Sequence, residues 1–178
     1  MIALPEPALA DDLVALRAWR EPDVAQLVTA CSDPLIQRYT SVPVPYERRD
    51  AELFVHAGRS VDALPLAVVD ARDDAVVLGA VGLHAVDRES RRAEIGYWTA
   101  PWARRRGVAA RGLVLLARWG VGDFGLERVD LYAEPANVAS QGVAAAAGFT
   151  RGDLVRGGIV LHGRRRDVVR HTLFAVDR

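Results

Sequence analysis

Three consecutive arginines, Arg104–Arg106, run directly into Gly107 and a helical apolar pattern that starts at Val108. The first turn of a helix carries free N–H groups and a partial positive charge. Guanidiniums crowding that end are unfavourable unless an anion sits there. With a phosphate present, amides and arginines converge on one group. Gly107 lets the backbone come close, because no Cβ intervenes. The segment lies after a strand and before a helix, where open α/β sheets bind ligands. A solvated basic loop punctuated by glycine would look the same, and the collar alone leaves the two readings even.

The elements that must position this collar are visible in the periodicity. LVALRAW (13–19) alternates like a strand, and Glu21–Cys31 carries Val24, Leu27 and Val28 at helical spacing, with Pro22 tolerated in a first turn. SVPVPYERR (41–49) reads as a loop leading into a helix over Asp50–Ala57. LPLAVVD (64–70) and VVLGAVGLHAV (76–86) are β-like with a turn at Asp73-Asp74, and RAEIGYWTA (92–100) is a further strand. A helix follows from Gly107 to about Val121, with Val108, Gly112, Leu115, Leu116 and Trp119 on one stripe. Its other side is apolar enough to predict burial on both. RVDLYA (128–133) is a strand, Asn137–Ala147 a short helix ending at Gly148, and RDVVRHTLFAV (166–176) a closing strand. This order predicts a mixed α/β sheet of six or seven strands with helices on both faces.

The 178 residues suffice for one domain with a sizeable core. Basic and acidic side chains number 23 each, which disfavours a general nucleic-acid binder. No apolar run approaches the roughly 18 residues of a membrane span, and MIALPEPALADDL lacks the pattern of a signal peptide. Cys31 is alone and the four histidines are scattered, so neither a disulfide nor a metal is expected. The expectation is a soluble, cytoplasmic protein with no nucleic-acid or membrane partner. Lysine is absent, and the wealth of Ala, Arg, Val and Gly suggests GC-rich coding and a bacterial source.

Taken together, AEIGYWTAPWARRRGVAARGLVLLARWG (93–120) and LERVDLYAEPANVASQGVAAAAGF (126–149) resemble the GNAT acetyltransferase superfamily, in particular its RimJ/RimL branch, which acetylates protein N-termini and other amines. The superfamily's phosphate-binding pattern Q/R-x-x-G-x-G/A is matched by Arg104, Gly107 and Ala109. EIGYW (94–98), Asn137 with Ser140, and Gly148-Phe149 fit the branch, as do LRAWREPD (16–23), CSDPLIQRYT (31–40), AELFV (51–55), Arg156 and Asp167. The resemblance implies a single domain over residues 1–178 with the GNAT fold: α/β (α+β) in class, with a mixed, mostly antiparallel sheet. It makes the anion the pyrophosphate of acetyl-CoA, the co-substrate, held by Arg104, Arg105, Arg106, Gly107, Val108, Ala109 and Asn137. Backbone amides around Trp98, Thr99 and Ala100 would polarise the acetyl carbonyl, beside a splayed strand that admits pantetheine.

Acetyl transfer needs an amine with a free lone pair. A lysine-like amine, with pKa about 10.4, is roughly three units protonated at pH 7, whereas an α-amine near about 8 needs only a modest base. Glu94 is the candidate base; it shares a strand face with Gly96 and Trp98, opposite Ala93, Ile95 and Tyr97. A strand carboxylate paired with Arg92 or another arginine explains it equally well. The resemblance implies that Ser140 hydrogen-bonds the sulfur and so contacts the coenzyme as well, although Asn137 and Ser140 are also ordinary first-turn caps. Two departures stand out: Ala144 where many GNAT enzymes have a tyrosine acid, and Gly152 where the branch often has glutamate, with Asp153 one step away. Trp19, Tyr39, Tyr46 and His84 are candidate acceptor-pocket residues that simple packing would also explain. His162 is a further candidate for proton transfer. Arg164–Arg166 reads as a solvated hairpin turn.

The expected activity is direct acetyl transfer, in a ternary complex, to a primary amine, with a protein N-terminal α-amine favoured. The alternatives are a small-molecule amine acceptor, another acyl-CoA donor, or a non-catalytic acyl-CoA sensor. A homodimer is open, since the apolar tail strand is able to pair.

Overall fold

A computed structural model of the protein describes residues 1–176, so the last two residues of the expected domain lie outside it. The chain runs β1 (Val14–Arg17), α1 (Val24–Cys31), α2 (Pro34–Tyr39), α3 (Arg48–Ala57), β2 (Leu64–Asp70), β3 (Asp73–Asp87), β4 (Arg92–Thr99), α4 (Val108–Val121), β5 (Arg128–Ala133), α5 (Val138–Ala146), β6 (Thr150–Leu161) and β7 (Arg164–Phe174). The seven strands form one sheet in the order β1-β2-β3-β4-β5-β7-β6. This is the mixed, mostly antiparallel sheet that was expected.

Several boundaries differ from the periodicity for local reasons. The helix expected from Glu21 opens as a 3-10 turn over Glu21–Asp23, and α1 begins only at Val24. Asp33 starts a separate helix, α2, by accepting from the amides of Leu35 at 3.0 Å and Ile36 at 3.1 Å, with Pro34 preset for the first turn. Helix α3 begins at Arg48, where Asp50 accepts from the Glu47 amide at 2.8 Å. The second arginine triplet opens β7, leaving His162 and Gly163 as the turn.

Every strand pairing is antiparallel except β4 with β5. That parallel pairing is short: Arg92, Ala93 and Glu94 match Arg128, Val129 and Asp130. Beyond it β4 stays with β3 as far as Thr99, and β5 stays with β7 as far as Ala133. The two central strands therefore part company in mid-sheet.

Helix α4 covers one face. Its Gly112 backbone comes so close to Val68 that a Cβ would lie 3.1 Å from a valine methyl, and Gly120 faces Leu83, Leu126 and Val129. The buried stripe is Val108, Gly112, Leu113, Leu116, Ala117 and Gly120. Leu115 and Trp119 sit half-buried at its margin, while Arg118 is exposed and Arg111 is held by Asp11 and Asp12. The helix thus buries one side, not both. Leu113 and Leu116 are fully buried, each contributing about 2 kcal/mol by area. On the opposite face Trp98 stacks on Trp19 at 6.2 Å, and Trp19 meets Phe54 of α3 edge-on at 5.6 Å.

Candidate functional site

Where β4 and β5 separate, a cleft of about 1220 Å³ runs through the sheet. Ile95–Thr99 form one wall and Leu131–Ala133 the other. One end opens at the N-terminus of α4 and the other over the face that carries Glu94 and His84.

At the α4 end, Gly107 precedes the first helical residue with φ +77°, and Arg105 is also left-handed at +61°. A Cβ on Gly107 would meet only the Arg111 side chain, at 4.0 Å, so the approach to the backbone is open. Arg105 and Ala109 line the cleft, whereas Val108 turns its side chain into the core and offers only its backbone. Arg104 lines the cleft as well, but donates to Asp33 across 2.5 Å. That hydrogen bond is the main reason the Asp33 carboxyl lies below the ordinary carboxylate range. Arg106 departs from expectation: it leans towards Asp70, 3.9 Å away, and does not line the cleft. Open helix amides, a glycine without obstruction and two arginines at one mouth suit a pyrophosphate.

In the middle, Asn137 lines the cleft and caps α5, its Oδ1 accepting from the Ser140 amide at 3.1 Å. Ser140 Oγ in turn lies 3.0 Å from Tyr97 Oη. The expected amide cluster around Trp98–Ala100 needs correction. The Ala100 amide donates to Leu78 at 2.9 Å, and alternation along β4 sends the Tyr97 and Thr99 amides the other way, towards the gap. Ala144 is fully buried and carries no polar atom into the cleft.

At the far end, Glu94 faces His84 across the β3–β4 pair and Asp130 across the β4–β5 pair. Asp130 is committed elsewhere, accepting from Thr172 Oγ1 at 2.6 Å and from Arg128 at 2.7 Å. Glu94 has no ion pair among the described residues, and neither Arg92 nor any other described arginine reaches it. Burial, then the charges of Asp130 and Glu94, push the Tyr132 phenol up. Gly82 and Gly96 pair across the strands and leave the floor bare beside these groups.

The acceptor candidates divide. His84 and Tyr39 line the cleft. Trp19 does not; it is packed behind Trp98. Tyr46 is buried against Cys31 in an adjoining pocket of about 360 Å³, and burial pushes the Cys31 thiol up to about 12. His162 ties the β6–β7 turn to α2, its Nε2 lying 2.8 Å from the Gln37 carbonyl oxygen. Gly152 carries no carboxylate, and the exposed Asp153 does not line the cleft, so it does not stand in for the glutamate.

A model of the acetyltransferase (GNAT) domain matches residues 14–150. The chain belongs to the GNAT acetyltransferase family. YdaF, a candidate ribosomal N-acetyltransferase of Bacillus subtilis (strain 168), is 30% identical over 100 residues, covering 56% of this chain. The match covers 55% of YdaF, so the chain spans about half the length of that relative. Among solved structures, RimL, the ribosomal L7/L12 α-N-protein acetyltransferase bound to coenzyme A, superposes with TM-score 0.81 at 20% identity, covering 94% of this chain and 97% of RimL. Spermidine N-acetyltransferase from Vibrio cholerae, bound to CoA and spermine, gives TM-score 0.78 at 20% identity over 93% and 97% of the two chains. At these identities the structural likeness establishes the GNAT fold. Two residues of this GNAT cleft escaped sequence reasoning, Tyr97 and Tyr132. Strand parity puts Tyr97 on the face away from Glu94, and only the parting of β4 from β5 brings both into one cavity. Among the described residues no helix is long and apolar enough to cross a membrane.

Proposed function

We propose that this GNAT protein transfers acetyl from acetyl-CoA to a primary amine by direct attack in a ternary complex, with a protein N-terminal α-amine as the favoured acceptor. The observation that carries this reading is the through-sheet cleft, which joins an anion-binding helix end to a lone carboxylate on the opposite face. Arg104, Arg105 and the amides after Gly107 hold the pyrophosphate. The Tyr97 and Thr99 amides face the acetyl oxygen, Ser140 faces the sulfur, and Glu94 accepts the amine's proton, with His84 beside it.

Charge supports a singly charged acceptor. Of the acidic groups around the cleft, Glu134 is bound to Arg38 at 2.7 Å and Asp33 to Arg104. That leaves Glu94 as the unpaired carboxylate lining it among the described residues. A polyamine needs several free carboxylates, whereas an α-amine needs one modest base. The test is mass spectrometry of products after incubation with acetyl-CoA and a panel of N-terminal peptides, polyamines and aminoglycosides. Acetylated peptide N-termini are expected. Acetylation of polyamines or aminoglycosides in preference to peptides would overturn the acceptor assignment.

A further inference from the structure

One hydroxyl at the centre of the cleft has no role in the scheme above. Tyr97 reaches from β4 across the gap to α5, where its Oη lies 3.0 Å from Ser140 Oγ. Both residues are half-buried and both line the cleft. Burial pushes the Tyr97 phenol up, with the Ser140 hydrogen bond acting against it, so the phenol keeps its proton at neutral pH. A serine hydroxyl has one proton and two lone pairs, and it rotates freely unless a neighbour fixes it. A phenol that donates to one lone pair leaves the serine proton unspent and restricts where it can point. Asn137 engages the Ser140 amide, not its hydroxyl. Tyr97 is thus the one side chain, among the described residues, that holds Ser140 Oγ.

We propose that Tyr97 is a positioning residue for acyl transfer: it donates to Ser140 Oγ and turns the serine's only proton towards the departing sulfur. The proposal rests on the assignment of Ser140 to the sulfur. As the amine's electron pair forms the C–N bond, the C–S bond breaks and its pair stays on sulfur. The Ser140 O–H meets that charge, Glu94 takes the amine's proton, and the sulfur is protonated by water on release. Neither hydroxyl is consumed. Tyr97 also reaches over the gap where β4 and β5 no longer pair, placing the donor from β4 and the acceptor from α5 at one point.

The contact can be read without an acceptor. Calorimetric titration with CoA and with desulfo-CoA, which lacks the thiol, isolates the sulfur's contribution at pH 9, where a fraction of the thiol is ionised and a hydroxyl donor selects the thiolate. The unsubstituted protein is expected to prefer CoA by about tenfold, as for a hydrogen bond to a charged group. Tyr97→Phe, which removes one oxygen, should bring the two ligands to within about twofold while leaving desulfo-CoA affinity unchanged and lowering Tm by no more than a few degrees. Ser140→Ala should do the same, and the double variant should add nothing further. A Tyr97→Phe protein that keeps the preference overturns the proposal and leaves the coenzyme site standing. Equal loss of both ligands in that variant also overturns it, because the tyrosine would then be merely structural. No preference in the unsubstituted protein sinks it too. Failure of the unsubstituted protein to bind either ligand overturns the coenzyme reading itself.

Discussion

The two ends of the cleft are built by opposite means. The α4 end is made of one continuous stretch, Arg104–Ala109, which turns through two left-handed residues, Arg105 and Gly107. The far end is assembled from distant pieces. Gly82 and Gly96 supply a floor without side chains, and α2 pins down the surrounding loops. Arg38 binds Glu134 of the β5–α5 connection at 2.7 Å, and the Gln37 carbonyl takes the β6–β7 turn through His162. On the proposed reading the coenzyme end is a local motif and the acceptor end a collection of tertiary contacts, so a different acceptor would require no change at the α4 end.

That contrast can be broken by substitution. Glu94→Gln should lower kcat/KM by about 10²-fold or more, as loss of a general base does, with acetyl-CoA affinity within about twofold by calorimetry. Equal loss of both would mean that the carboxylate belongs to the coenzyme end. Gly96→Val comes next. Its Cβ would meet only the His84 ring, at 3.7 and 3.9 Å, so the strand can accept it. Steady-state kinetics should show acceptor KM raised about tenfold, roughly 1.4 kcal/mol, with acetyl-CoA binding almost untouched.

Asp33→Asn sharpens the comparison at the one place where the ends touch. Asparagine keeps the α2 cap and removes the charge that occupies Arg104, so acetyl-CoA should bind about threefold more tightly, within the range of a partly exposed ion pair. Weaker binding would mean that Asp33 holds Arg104 in its working pose.

The smallest effect concerns the sheet that both ends share. His171 on β7 is buried, its Nδ1 without a partner among the described residues, and burial keeps its imidazole below its ordinary value of 6.5. The unfolded chain therefore takes up a proton first as pH falls. Tm should decline as pH drops below 6.5 and level off once the folded imidazole protonates, and His171→Asn should flatten that slope.

What the amino-acid order made legible follows the same division. Alternation and helical spacing located nearly every element, and the collar with its glycine stood out because Arg104, Gly107 and Ala109 are neighbours in the chain. Which strands part is a property of pairing, and pairing leaves no mark on the periodicity of β4. Strand parity placed Glu94 and Tyr97 on opposite faces correctly, yet gave no hint that one cavity reaches both. Asp33 and Arg104 stand far apart in sequence, so their ion pair was invisible, as was the commitment of the Ala100 amide to Leu78.

The Asp33–Arg104 pair has a last consequence. A guanidinium facing water gathers mobile anions, and a ligand phosphate must displace them, which makes binding sensitive to ionic strength. Arg104 already carries a fixed anion of its own, so a phosphate arriving there trades one carboxylate contact for another anion and disturbs the surrounding salt little. Arg105, exposed at the same mouth, has no such partner among the described residues. The slope of coenzyme affinity against salt concentration thus reports which of the two arginines carries the load.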